Sequence, residues 1–85
     1  MTYRIEFTKK ANKQFQALPQ QIQKRIEPKI AALAENPRPH GVVKLSGEDN
    51  AYRIRVGDYR VVYYIEDESV LVLVFRVDHR RDVYR

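Results

Sequence analysis

"YRIRVGDYRVVYYIE", residues 52–66, carries the reading of the fold. Two runs of Val, Ile and Tyr alternate with arginine, and such side chains suit a half-buried pleated surface. Between them stands Gly57-Asp58, a two-residue turn whose glycine supplies the positive φ that a tight hairpin needs at its first position. A turn of that length sets the register. Val56 faces Tyr59, Arg55 faces Arg60, Ile54 faces Val61, Arg53 faces Val62 and Tyr52 faces Tyr63. Side chains alternate between the two faces of a strand. Tyr52, Ile54, Val56, Tyr59, Val61 and Tyr63 therefore share one face, assigned to the core. Arg53, Arg55, Arg60, Val62 and Tyr64 share the other.

Working outward, "SVLVLVFRV" at 69–77 follows Asp67-Glu68 and is apolar almost throughout, which predicts a strand covered on both faces. On the other side, 40–50 reads as a loop with a short extended piece at 42–45. "NPRP" at 36–39 stops a helix, because residues before proline avoid the helical region. That helix starts near Gln20 and carries Ile22, Ile26, Ile30 and Leu33 in one stripe. Pro28 lies inside it and is expected to kink or break it. An earlier helix, with Thr8 as N-cap and Pro19 as its stop, carries Ala11, Phe15 and Leu18. Residues 2–7 alternate as a strand. The chain thus predicts an α+β fold in the order β-α-α-β-β-β. A small, mainly antiparallel sheet bears a helical hairpin on one face, in a single domain spanning 1–85.

At 85 residues, one thin core is feasible. The absence of cysteine excludes a disulfide scaffold and a cysteine-based zinc site, and fits a reducing compartment. The longest apolar run, 70–75, is too short to cross a bilayer, and no signal peptide is evident, so the cytoplasm is the expected location and no membrane partner is expected. Net charge is +5 with six tyrosines, and the pI is near 9.7. That balance suggests RNA, DNA or an acidic protein as partner, or a charge that merely serves solubility.

Arg55 directly opposite Arg60, with Arg53 two residues along, is costly for a purely structural sheet. The arrangement is explained if an anion sits over that face, phosphate above all, because several guanidinium forks can hold its oxygens together. The alternative is solvated arginines paired with Asp58 or Asp82. The tail "VDHRRDVYR" at 77–85 adds His79, Arg80, Arg81 and Tyr84. It leaves a strand antiparallel to 59–66, so its start lies near Arg60 and both basic groups can form one patch. Tyr84 there can stack on a base, exchange a proton, or simply pack the tail.

These residues resemble the RelE-type toxins of the RelE/ParE toxin–antitoxin superfamily. The likeness runs through "YRIEFTKKANKQFQALP", "NPRP", "VVKLSG", "YRIRVGDYRVVYYI" and "VFRVDHRRDVYR". It implies a RelE-like fold and cleavage of mRNA in the ribosomal A site. The 2′-hydroxyl attacks the adjacent phosphate, with no metal or other cofactor. It also implies a cognate antitoxin, and operator DNA bound only through that antitoxin. By position it places Arg53, Arg55, Arg60, Arg80 and Tyr84 in the catalytic set, with Arg60 and Arg80 facing the developing charge. Lys44, His79 and Arg81 are further RNA-binding candidates.

One departure matters. In the best-known members the hairpin pair is lysine, which can act as a base once its pKa is lowered. Arginine stays protonated, so Arg53 and Arg55 are assigned to phosphate binding, and the base is sought in His79 or Lys44. The competing expectation is a ParE-type toxin of the same fold that binds and poisons DNA gyrase without catalysis. The terminal "HRRDVY" favours the nuclease.

Overall fold

The computed structural model describes residues 2–79. The elements are β1 (Arg4–Phe7), α1 (Lys9–Gln16), α2 (Gln20–Ala32), β2 (Val43–Lys44), β3 (Ala51–Val56), β4 (Tyr59–Glu66) and β5 (Leu71–His79). They form one five-stranded sheet in the order β1-β5-β4-β3-β2. Every pairing is antiparallel except β1, which runs parallel to β5 with Arg4 opposite Leu71 and Phe7 opposite Val74. The α+β class, the order of elements and the short extended piece at β2 match the expectation.

The β3–β4 register is the one the turn dictates, from Ala51 opposite Tyr64 to Val56 opposite Tyr59. Gly57 closes it at φ 61°. The space its side chain would fill is taken by Arg25 of α2, whose Nη2 lies 2.9 Å from an ideal Cβ. Backbone conformation favours glycine there, while the Arg25 head, at the end of a flexible side chain, can move aside for a Cβ.

Both helices lie on one side of the sheet. Ala11, Ile26, Ile30 and Leu33 pack there with Ile54, Val56, Val61, Tyr63, Ile65, Val72, Val74 and Val77. The Thr8 hydroxyl caps α1 by accepting from the Ala11 N–H at 3.1 Å. The Gln23 amide donates to Leu18 O at 2.8 Å, which satisfies a carbonyl left open where α1 ends. β1 stops opposite Val74, so the Val77 N–H lies beyond its reach and donates instead to the Gln14 side chain at 2.8 Å.

Three expectations are corrected. Of the kink or break expected at Pro28, the break does not occur, and helix α2 runs continuously through it. Pro28 is exposed, so the Lys24 carbonyl deprived of its helical partner can turn toward water. The helix also ends at Ala32, before the "NPRP" segment. In β5, Val72, Val74 and Val77 are buried, while Leu71, Leu73 and Phe75 are half-buried, so the helix-free side is covered only in part. The step from Val74 to Val77 comes from a bulge. Val62 pairs with Arg76 and Tyr63 with Val74, which leaves Phe75 as the extra residue.

At the end of the sheet away from the Gly57 turn, Asp67 ties three segments together. Arg38 grips it at 3.3 and 2.9 Å, and the Tyr3 hydroxyl donates to it at 2.6 Å. The Arg38 hydrogen bond, seconded by Tyr3, holds the Asp67 carboxyl below its ordinary pKa, and the hydrogen bond to Asp67 raises the pKa of Tyr3. This clamp steadies a turn in which Val70 sits at φ 51°, a strained value for a β-branched residue. Next to it the buried Tyr63 hydroxyl donates to Pro37 O at 2.8 Å, and burial raises its pKa. No helix among the described residues is long and apolar enough to cross a membrane.

Candidate nucleic-acid interface

The side of the sheet away from the helices is where the arginines stand. Alternation along β3, β4 and β5 produces two adjacent rows across the ladder. The first runs Arg55, Arg60, Asp78, and the second runs Arg53, Val62, Arg76. Four guanidinium groups therefore rise from neighbouring positions of a rigid sheet, with one carboxylate among them. The Arg76 Nε lies 3.6 Å from Asp78 Oδ2, and the Asp78 side chain is 13% exposed. The acid in the row is thus Asp78, from the strand itself.

Between the rows and the loop before β3 is a cleft of about 350 Å³. Its floor is apolar, formed by Ala51, Val62 and Phe75. Arg53, Arg60 and Arg76 line it, and Leu45, Ser46 and Glu48 form the loop wall. The Arg53 Nε is buried with no hydrogen-bond partner among the described residues, and a buried donor of this kind is costly until something fills the space before it. Beside the cleft the Tyr64 ring stacks on Phe75, with centroids 4.3 Å apart and planes at 22°. The neighbouring Glu48 carboxylate raises the pKa of the Tyr64 hydroxyl.

The structure brings Arg53, Arg55 and Arg60 together. It sets two other candidates on the opposite side. Lys44 pairs with Tyr52, whose ring packs against the helix-side core, so Lys44 takes that side of the sheet edge. His79 pairs with Tyr59 and meets its ring edge-on at 5.1 Å and 90°, again on the helix side. Arg80, Arg81 and Tyr84 lie outside the described residues. Arg76 and Glu48 were missed by sequence reasoning. Arg76 had a signal, as the one charge within "VLVLVFRV". Glu48 had none, since an acid in a polar loop looks like any solvated residue.

The architecture has clear counterparts. A family model described as the ParE toxin of type II toxin–antitoxin systems matches residues 5–84. Toxin RelG of Mycobacterium tuberculosis is 34% identical over 86 residues, covering 100% of this chain and 99% of the relative. The mRNA interferase toxin RelE of Escherichia coli is 32% identical over 82 residues, covering 94% and 85%. Among solved structures, the intact RelBE toxin–antitoxin complex of Escherichia coli aligns with a TM-score of 0.82 at 30% identity, covering 91% of this chain and 95% of that one. The archaeal RelE–RelB complex of Pyrococcus horikoshii aligns with a TM-score of 0.82 at 32% identity, covering 94% and 97%. Agreement of this extent, in sequence and in fold, means that the chain belongs to the RelE/ParE family of type II toxin–antitoxin toxins and is a RelE-type toxin.

Proposed function

We propose that this toxin cleaves mRNA engaged by the ribosome, in the cytoplasm, and that a cognate antitoxin silences it. The observation that carries the reading is the pair of arginine rows, in which Arg55 and Arg60 are directly opposed with Arg53 and Arg76 in the next row. Asp78, facing Arg60, offsets part of the repulsion among these four arginines, and the positive charge that remains suits a bound anion. The similarity to an mRNA interferase and to toxins crystallised with RelB antitoxins supports both the substrate and the partner. Operator DNA is contacted only through the antitoxin.

In the proposed reaction a 2′-hydroxyl attacks the adjacent phosphate in line with the departing 5′-oxygen. The phosphorane gains charge on its non-bridging oxygens. Guanidinium groups fixed on a sheet stabilise that charge more strongly than the ground state and need no reorganisation to do so. Arg60 and Arg80 meet the developing charge, and Arg53 and Arg55 hold the phosphate. Tyr84 stacks on a base or donates to the leaving oxygen. Arg81 contacts RNA flanking the cleaved bond, whereas Lys44 and His79, on the helix side of the sheet, take no part at the arginine face. The chemistry calls on no metal. The ribosome contributes by bending the message toward the in-line geometry.

Mapping mRNA ends in cells shortly after induction tests the reading. New ends at codons within translated frames are expected. Intact messages together with inhibited DNA gyrase would support the ParE-type alternative instead.

A further inference from the structure

Attack by a 2′-hydroxyl needs an acceptor for its proton. Guanidinium groups stay protonated in proteins, so the four arginines cannot serve. Lys44 and His79 stand on the other side of the sheet. Among the described residues lining the cleft, the ionisable groups that remain are two carboxylates, Glu48 and Asp78. Asp78 belongs to a strand, is largely covered, and faces Arg60 across the ladder and Arg76 alongside. Glu48 is exposed on the loop that overhangs the cleft.

That loop is held at its ends. The Leu45 N–H donates to Ala51 O at 2.9 Å, and the Ile65 N–H donates to Asn50 O at 2.9 Å. The Asn50 amide donates to Glu66 at 2.8 Å. The Glu48 carboxylate stands near enough to the Tyr64 hydroxyl to raise its pKa, and the Tyr64 ring is braced by its stack on Phe75. A carboxylate has about four lone-pair positions, so a neighbouring hydroxyl leaves Glu48 with capacity to take a proton.

We propose that Glu48 is the proton acceptor for the attacking 2′-hydroxyl, with Tyr64 as the residue that positions it. The inference rests on the reading of the chain as an RNA-cleaving toxin. The 2′-hydroxyl proton passes to Glu48 as the 2′-oxygen bonds to phosphorus. The bond from phosphorus to the 5′-oxygen breaks, and its electron pair stays on that oxygen. The 5′-oxygen takes a proton from water, and the hydroxide so formed recovers the proton held by Glu48. The products are a cyclic phosphate and a 5′-hydroxyl, with the enzyme unchanged. Glutamate thereby fills the role that the hairpin arginines cannot.

The test is single-turnover cleavage of mRNA on programmed ribosomes, using wild type, Glu48→Gln, Glu48→Asp and Tyr64→Phe. Glutamine keeps the size and polarity of the side chain but takes up no proton. Glu48→Gln should lose about 100-fold in rate, within the range for a general base, while ribosome binding and melting temperature hold. Glu48→Asp should retain more activity than Glu48→Gln. Tyr64→Phe should lower the rate constant several-fold without weakening binding. Glu48→Gln should also lose the part of the wild-type pH dependence of the rate that a carboxylate base contributes. Arg53, Arg60, Tyr64, Arg76 and Asp78 face Glu48 from β3, β4 and β5 and are common to both proteins, so the comparison isolates Glu48. A Glu48→Gln protein within threefold of wild type, with the same pH profile, overturns the proposal and leaves the nuclease reading standing. If wild type fails to cleave, the nuclease reading falls and the proposal falls with it.

Discussion

Replacing Arg55 with threonine should make the protein more stable and a poorer nuclease. Arg55 is exposed and stands directly opposite Arg60. Directly opposed residues hold their Cβ atoms about 4.5–5.5 Å apart. Guanidinium heads that splay to about 7 Å repel by about 0.6 kcal/mol in water-like surroundings. Threonine removes that repulsion and suits a strand better than arginine, so both effects point the same way. A gain of about 0.5 kcal/mol corresponds to about 2–4 °C in melting temperature for a domain of this size. At about 1 M salt the screening length shrinks to about 3 Å, so most of the gain should vanish. Cleavage should fall at the same time. A charge-assisted hydrogen bond contributes about 1.5–3 kcal/mol, equivalent to roughly 10- to 100-fold in rate. Paired measurements decide the matter: thermal melts at low and high salt, and cleavage on programmed ribosomes. A melting temperature below wild type at low salt would refute the repulsion argument. A gain that persists unchanged in high salt would do the same, and undiminished cleavage would remove Arg55 from the site.

Three further outcomes are expected. Arg60→Ala should lower cleavage at least tenfold, by roughly 1.4 kcal/mol or more, with the circular dichroism spectrum unchanged; wild-type rates would exclude Arg60 from the site. Tyr63→Phe should cost about 1–3 kcal/mol by urea denaturation, because it strands the Pro37 carbonyl in a buried position; a cost under about 0.5 kcal/mol would mean that water reaches that carbonyl. Asp67 has a depressed folded pKa, so its contribution to stability is present above the unfolded carboxylate value and is lost as pH falls through the folded one. Asp67→Asn should therefore melt earlier than wild type at neutral pH and show a shallower decline on acidification, checked by urea midpoints across that range.

The hairpin was legible because its determinants are local. A two-residue turn and strict alternation yield the register, and the register alone brings Arg55 opposite Arg60. The helical stripe and the Thr8 cap were legible for the same reason. What escaped was set by distant partners. Nothing in residues 2–7 says that they pair parallel to the last strand. The bulge at Phe75, which keeps Val77 on the core side, depends on the fit between β4 and β5. Pro28 breaks a rule of isolated helices, but the packing of Ile26 and Ile30 on the sheet overrides it. His79 and Lys44 read as part of the basic patch until strand parity put them on the other side. Glu48 became interesting only once the loop was seen to overhang the arginines.

The parallel pairing of β1 with β5 has a consequence for biosynthesis. β1 emerges from the ribosome early, yet the neighbour it hydrogen-bonds to lies near the opposite end of the described chain. Contacts of such high sequence separation close late and slow folding. The nascent chain must therefore carry β1 as an unmatched strand until β5 has been translated, and the arginine rows, which span β3 to β5, are completed in that same final interval.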